Sequence, residues 1–184
     1  WAETDVSLIA MPVAHVSGTG WALWSLEHGA SGVITREFDP HAVFELMVQH
    51  RINKVIMVPT AMQVAVRHPR ARSTDFSFVK YICYGAAPMP LALLRECIEV
   101  FGCGFVQMYG MTETTGTIVA LPPEDHIEGL ERMRSAGKAL PGIELLEFPL
   151  NRDKAKCCGG GGGMKGFDNQ MAGEIGYKRL LSAI

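Results

Sequence analysis

Apolar residues along this chain fall into short unbroken runs, and amphipathic stretches separate them. Asp5 to Val13 reads as a mostly buried strand, and a helix is expected over residues 21–28. Ser31 to Arg36 reads as a short strand. Asp39-Pro40 then opens a helix, because Asp caps helix starts and Pro suits the first helical position. Val43, Phe44 and Met47 give that helix one apolar face. Lys54 to Val58 is the next strand, ended by Pro59, and Thr60 is expected to cap a helix carrying Met62 and Val66. Val79 to Tyr84 is a strand that runs out into Gly85-Ala86-Ala87-Pro88. Pro90 opens a helix with Leu91, Leu94, Ile98 and Phe101 on one face, and Gly102 serves as its C-terminal cap. Phe105 to Met108 supplies another strand, and Val119 to Pro123 reads as strand then turn. Strands alternating with amphipathic helices predict an α/β fold, a parallel sheet flanked by helices. A short glycine-rich and helical tail follows, its helix over residues 169–183.

Composition narrows the class. The chain has 184 residues, 48% of them hydrophobic and 20% charged, which are globular values. A net charge of −2 leaves no electrostatic footprint for nucleic acid. No apolar run reaches the roughly 18 residues that span a bilayer, so no transmembrane segment is expected. The chain opens at Trp1 without a leader, and the start reads as a cut. Cys83, Cys97 and Cys103 sit in apolar context and read as reduced core thiols, which points to a cytoplasmic location.

The stretch with chemistry in it is Tyr109-Gly110-Met111-Thr112-Glu113-Thr114-Thr115-Gly116. A buried strand leads into three hydroxyls and a carboxylate, groups that cost free energy in a core but suit a site at the carboxyl end of an open sheet. Threonine hydroxyls can donate to phosphate, and Glu113 can hold Mg²⁺, a hard cation that prefers oxygen. This stretch resembles the signature of the adenylate-forming superfamily. Met11-Pro12-Val13-Ala14-His15-Val16-Ser17-Gly18 upstream and Tyr84-Gly85-Ala86-Ala87-Pro88-Met89 between them resemble its fatty-acyl-CoA ligase branch. Three motifs stand in family order, and the likeness covers residues 1–145, which would be a partial large N-terminal domain.

That resemblance implies two half-reactions: a carboxylate attacks the α-phosphate of ATP, and the thiol of CoA then attacks the acyl carbon. The expected partners are a fatty acid or other carboxylate, ATP, CoA and Mg²⁺. By the same resemblance the catalytic set is His15, Thr112 and Glu113, with Glu113 holding Mg²⁺. Gly85, Ala86, Ala87, Pro88, Tyr109 and Thr112 would contact ATP and its adenine. His15, Gly110 and Met111 would border the acyl group. Three family parts find no counterpart: a phosphate loop with its Lys, a ribose-binding Asp after Glu144, and a C-terminal domain with its adenylation Lys. The expectation is therefore a ligase fragment that is inactive alone, with an uncovered sheet open to self-association.

Past Glu144 the text changes. Cys157-Cys158-Gly159, a glycine run to Gly163 and then Met164 resemble the cysteine-rich CCG module of heterodisulfide-reductase and glycolate-oxidase iron–sulfur subunits. The paired cysteines would ligate iron–sulfur or zinc with further cysteines. No Cys lies between Cys103 and Cys157, and two thiolates fall short of four ligands, so no complete cluster is expected. Residues 146–184 read as a partial module joined near residues 145–149 by native fusion, gene-model error or engineered splice. Electron transfer through this tail, or a non-catalytic remnant, are the alternative functions.

Overall fold

Seven strands form one sheet in the order β2-β1-β3-β4-β5-β6-β7. They are β1 (Val6–Ile9), β2 (Ser31–Ile34), β3 (Lys54–Met57), β4 (Tyr81–Gly85), β5 (Gly104–Met111), β6 (Gly116–Leu121) and β7 (Lys138–Ala139). Four helices alternate with the first five strands: α1 (Val16–Glu27), α2 (Pro40–His50), α3 (Pro59–Val66) and α4 (Leu91–Phe101). The structure is a computed structural model and describes residues 1–127, 129, 131–144, 170, 173, 174 and 177. The chain divides into two compact units, Trp1–Ile143 and Glu144–Ile184. In the second, Gln170, Gly173, Glu174 and Tyr177 are helical, and Gln170 donates to Glu174 at 3.3 Å. Cys157, Cys158 and the glycine run lie outside the described residues.

The sheet is mixed, not purely parallel. β1 to β5 pair in parallel as the strand–helix alternation requires. β5 turns back into β6, and β6 into β7, both antiparallel. The hydroxyl-rich signature therefore sits in a hairpin, and β5 runs on to Met111, beyond the expected end at Met108. β6 starts at Gly116, ahead of the expected Val119.

Parallel crossovers are right-handed, and the strand order reverses after β1. This puts α1 on one face and α2, α3 and α4 on the other. The three-helix face holds the main core. Phe44, Phe76 and Phe101 stack edge to face at 5.2 and 5.0 Å over strands whose Val55, Met57, Ile82 and Tyr84 are buried. Met47, Met57 and Met62 fill this core. Within this unit α1 packs on the other face, and Tyr81, Val106 and Met108 border an open space there.

Local chemistry explains most boundaries. Asp39 accepts from the Ala42 N–H at 3.0 Å and caps α2. Gly102 takes the left-handed conformation that ends α4, at φ 58°. Thr60 does not cap: α3 starts at Pro59 with Thr60 already inside it. The largest difference is α1, which begins at Val16, five residues before its expected start. Its first turn passes so close to the end of β1 that a Cβ on Gly18 would lie 2.3 Å from the Pro12 oxygen. The Thr19 hydroxyl donates to the Val13 carbonyl and ties that turn down.

At the amino ends of the strands, the buried carboxylate of Asp5 accepts from Lys80 at 2.7 Å and from the Ala2 N–H at 3.0 Å. Lys54 stands 3.5 Å from it and lies over the rings of Trp1 and Tyr81. Burial pushes the Asp5 carboxyl up, but the Lys80 and Ala2 hydrogen bonds and the lysine charges outweigh it, and it lies below the usual carboxylate range.

Candidate active site

Ligands of open α/β sheets bind beyond the carboxyl ends of the strands, where the strand order reverses. In this chain that point lies between β1 and β3. A cleft of about 150 Å³ opens there, lined by the segments that leave β1, β3, β4 and β5, by one face of α1 and by the start of β6. Met11, Val58, Gly85, Ala86 and Gly110 come from the strand ends, Val16, Ser17, Gly20, Trp21 and Trp24 from α1, and Thr115, Gly116 and Thr117 from the hairpin. Among the described residues no ionisable side chain lines it. Its polar side chains are those of Ser17, Thr115 and Thr117, with the indole N–H of Trp21, which is buried and meets no hydrogen-bond partner among the described residues.

Two glycines are needed for the strand ends to meet. A Cβ on Gly85 would lie 2.0 Å from the Met108 oxygen, and one on Gly110 would lie 1.9 Å from the Gly116 oxygen. Beside them, Ala86 and Thr115 adopt positive φ of 65° and 59°. Left-handed backbone costs an L-residue about 1–2 kcal/mol, and such strain gathers at functional sites. Three described non-glycine residues have positive φ, and two of them line this cleft.

Between β5 and β6, Thr112–Thr114 form a single 3₁₀ turn. Thr114 ties it together: its hydroxyl accepts from the Met111 N–H at 3.0 Å and reaches the Gly116 carbonyl at 2.8 Å. Thr112 and Glu113 are exposed, and Glu113 makes no ion pair or hydrogen bond among the described residues. One carboxylate does not make a metal cage, and no group of three or more ligating side chains exists among the described residues. A lone carboxylate does suit Mg²⁺, which is commonly held by one or two carboxylates together with substrate phosphates.

The expected site residues thus divide. Gly85, Ala86 and Gly110 line the cleft. His15 is the exposed residue just before α1, next to Val16, which lines it. Ala87 and Pro88 are exposed just past the end of β4. Tyr109 and Met111 are exposed on β5 outside the cleft lining. All of them lie at or beyond the carboxyl ends of β1, β4 and β5. Sequence reasoning missed Val16, Ser17, Trp21, Trp24, Thr115 and Thr117. Spacing on α1 would have placed Trp21 and Trp24 together, but the glycines ahead of them read as loop.

Behind the cleft, Tyr84 on β4 is fully buried and its hydroxyl meets His126 Nε2 at 3.0 Å and Gln107 Oε1 at 3.3 Å. His126 Nδ1 faces the Pro122 carbonyl at 2.8 Å. A carbonyl only accepts, so Nδ1 carries the proton and Nε2 is an acceptor; the single Tyr84 hydroxyl proton serves either Nε2 or the Gln107 oxygen, not both. Burial pushes the His126 pKa down, against the Pro122 hydrogen bond and the charges of Asp125 and Glu124. Cys83, Cys97 and Cys103 are free thiols that burial pushes up to about 12, so they are protonated structural groups, not nucleophiles.

A family model described as AMP-binding enzyme matches residues 1–146. One described as cysteine-rich domain matches residues 125–184, so the two overlap over 125–146. The fatty acid–[acyl-carrier-protein] ligase ScoC of Streptomyces coeruleorubidus is 34% identical over 143 residues, covering 78% of this chain and 28% of that protein. The 2-succinylbenzoate–CoA ligase of Bacillus subtilis is 34% identical over 155 residues, covering 84% of this chain and 30% of that protein. The solved structure of O-succinylbenzoate coenzyme A synthetase (MenE) from Bacillus subtilis, in complex with ATP and magnesium ion, matches with a TM-score of 0.68. Its identity is 33%, over 85% of this chain and 31% of that one. The chain therefore spans less than a third of the length of each of these proteins.

Proposed function

The chain belongs to the AMP-binding enzyme family, and from that membership we propose that its cleft is the acyl pocket of a carboxylic acid–CoA ligase, with the adenosine at its rim along the exposed segment that follows β4. The observation that carries the proposal is the pair of strained strand-end residues, Ala86 and Thr115, facing one apolar cleft at the reversal point of the sheet. In this reading the acid and ATP meet at the carboxyl ends of β4 and β5. The acid's oxygen attacks the α-phosphorus and pyrophosphate leaves. CoA thiol then attacks the acyl carbon and AMP leaves.

Each chain residue has a part to play. The backbone of Gly85 and of the exposed Ala86, Ala87 and Pro88 offers a flat edge to adenine, with Tyr109 beside it. The Thr112 hydroxyl donates to phosphate from a turn that Thr114 holds rigid. Glu113 would hold Mg²⁺, which would supply positive charge against the phosphates. His15, Gly110 and Met111 border the carboxylate. The protein's contribution is alignment and charge compensation, with no proton to relay in the first step. The chain spans under a third of the length of its relatives, so complete turnover is assigned to chains of the relatives' length, and the 184 residues alone bind without efficient catalysis.

Calorimetry with adenosine 5′-sulfamate, a neutral stand-in for AMP, tests the reading. Saturable binding is expected, and its absence up to millimolar concentration overturns the proposal. Acid-dependent ATP–pyrophosphate exchange should be weak, and Glu113→Gln should remove it, since a metal clamp on phosphates contributes several kcal/mol to such transition states. Robust exchange by the chain alone would refute the view that further segments are needed.

The wider proposal keeps a reducing, cytoplasmic setting, consistent with three free thiols, and weak self-association through the α1 face of the sheet, to be read by sedimentation. A second reading, a cluster-binding protein, rests on the match of residues 125–184 to a cysteine-rich domain. Iron and sulfide analysis of anaerobically purified protein decides it. Less than one cluster per chain is expected, and a stoichiometric cluster would establish the second reading.

A further inference from the structure

The names of the relatives include fatty acids, succinylbenzoate and ferulate, so family membership leaves the acid open. We propose that this cleft takes a compact, ring-sized acid, aryl or short and branched, and excludes long polymethylene acids, with Trp24 as the residue that sets the limit. The inference rests on the adenylation reading above and goes beyond it.

Size is the first argument. The cleft holds about 150 Å³. An apolar cavity of about that volume accommodates one benzene molecule. A single ring fills it, whereas an extended alkyl chain needs a longer channel.

The walls are the second argument. The cleft is flanked by two larger spaces, and in each case specific side chains border both. On one side Met11 and Val58 border both it and an open groove of about 760 Å³. On the other side Trp21, Trp24, Met108 and Thr117 border both it and a space of about 290 Å³ over the α1 face of the sheet. Backbone at Gly20, Gly85, Gly110 and Gly116 forms part of the wall, and the borders with the two neighbouring spaces are made by these shared side chains. Met11 is buried, and Trp21 is 3% exposed and held edge-on by the Trp1 ring at 4.8 Å. These walls are braced. Trp24 is only partly buried, so it is the wall whose removal lengthens the cleft with least damage to the core.

The third argument is the chemistry of the lining. Trp21 and Trp24 lie three residues apart on one face of α1 and present ring surface to the cleft. Aromatic acids gain from ring contacts beyond area burial, and alkyl chains do not. The hydroxyls of Ser17, Thr115 and Thr117 provide the few polar groups that orient such a ligand.

The test uses the full chain and three stable probes measured by calorimetry: adenosine 5′-sulfamate and its N-benzoyl and N-dodecanoyl derivatives, mimics of acyl-adenylates. The benzoyl compound is expected to bind more tightly than the parent, and more tightly than the dodecanoyl compound by about tenfold or more, the lower range for one misfitting methylene in an apolar pocket. In Trp24→Ala that ratio should collapse or invert, because the cleft then runs into the neighbouring space. Gly20→Leu gives an independent check. A Cβ there meets nothing within 4 Å, so the larger side chain enters open cleft space. It should remove the benzoyl advantage over the parent.

Dodecanoyl binding equal to or tighter than benzoyl in the unaltered chain overturns the inference, as does an unchanged ratio in Trp24→Ala. Should Trp24→Ala not fold, Gly20→Leu decides alone, and a retained benzoyl advantage overturns the inference. If neither acyl compound improves on the parent, the acyl assignment fails while the adenosine site stands. If the parent itself does not bind, the adenylation reading fails first and carries the inference with it.

Discussion

Two glycines that line the same cleft should respond to the same methyl group with opposite signs. At Gly110 an added Cβ would sit 1.9 Å from the Gly116 oxygen, 2.5 Å from its carbonyl carbon and 2.8 Å from the Thr117 Cα. All three atoms are backbone, so no rotamer change relieves the contact. The hairpin must open at its Gly110–Thr117 and Met111–Gly116 pairs. Overpacking costs about 1–3 kcal/mol, and each lost ladder hydrogen bond adds about 1 kcal/mol net, so Gly110→Ala should lose about 2–4 kcal/mol. At Gly20, inside α1, an added Cβ meets nothing within 4 Å. There Gly→Ala should gain about 0.8–1 kcal/mol from helix propensity alone. With a urea slope of about 1–3 kcal/mol per molar, the two midpoints should separate by about 1 M or more. Equilibrium unfolding with matched slopes is the measurement. Affinity for N-benzoyl adenosine 5′-sulfamate should fall in Gly110→Ala, because the opened hairpin moves Thr115 to Thr117 away from the cleft. Shifts of both variants in the same direction, or a Gly110→Ala midpoint equal to the parent's, would refute the close approach of β5 and β6 on which the site depends.

Two further predictions concern buried charge and pH. Asp5→Ala should cost about 3–5 kcal/mol in urea unfolding by leaving Lys54 buried without its carboxylate, the half-exposed Lys80 adding under about 1 kcal/mol. Adding Lys54→Met should recover most of it, and a double variant no better than the single would contradict this account. The Asp5 pKa is lowered in the folded state. Its contribution is therefore full above the unfolded value of about 3.9 and disappears as pH falls through the folded value, a loss Asp5→Ala should not show. His126 is also lowered, here by burial, so the unfolded chain takes up its proton first and stability should fall as pH drops below about 6.5. The groups around it are Tyr84, Phe105, Pro122, Asp125 and Glu124, and Gln107 lies one hydrogen bond further on, at Tyr84. In His126→Asn the slope of stability against pH between about 7 and 5 should flatten, and an undiminished slope would assign the titration to another group.

The parts legible in the sequence were those with local causes. Asp39-Pro40 and Gly102 marked helix ends because capping needs only neighbouring residues. The strand–helix alternation announced five parallel strands, and the apolar faces on α2 and α4 named much of the core. What stayed hidden depends on residues distant in sequence. Ser17-Gly18-Thr19-Gly20 looks like loop from propensity, yet it is helical because the glycine fits against the Met11 and Pro12 carbonyls. The hydroxyl-rich signature looks like a turn leaving a strand. It became a hairpin because Gly110 and Gly116 let two backbones close and a register shift between Tyr109 and Gly110 absorbs the bend. Trp21 and Trp24 could be placed on a helix, but only the order reversal after β1 brings that helix against the ends of β4 and β5.

The overlap of the two family matches at residues 125–146 sets two claims on one segment, and the packing decides between them for its described part. Asp125 and His126 are buried, the latter bonded to Tyr84 of β4, and Met133 belongs to the core cluster. Arg132 donates to Asp125 at 2.9 Å. β7 then pairs with β6 through Val119–Ala139 and Ala120–Lys138, and the Leu140 N–H donates to the Ile118 carbonyl at 2.9 Å. Gly137 is fixed in this arrangement, since a Cβ there would lie 2.0 Å from the Ala120 oxygen at a φ of 106°. These residues are committed to the sheet, and the compact unit that contains them ends at Ile143. Truncation after Glu144 should therefore leave a cooperative unfolding transition at nearly the parent midpoint. Truncation after Pro123 removes His126, Met133 and β7, strips the antiparallel edge and leaves Tyr84 with one fewer partner. A buried hydroxyl that loses its partner costs about 1–3 kcal/mol, and a lost buried methionine about 2–5 kcal/mol. That sum approaches the whole stability of an ordinary domain, about 5–15 kcal/mol, so the shorter chain should unfold broadly or not fold. Equal midpoints for the two truncations would show that residues 124–144 lie outside the folded unit, and would return the segment to the cysteine-rich domain.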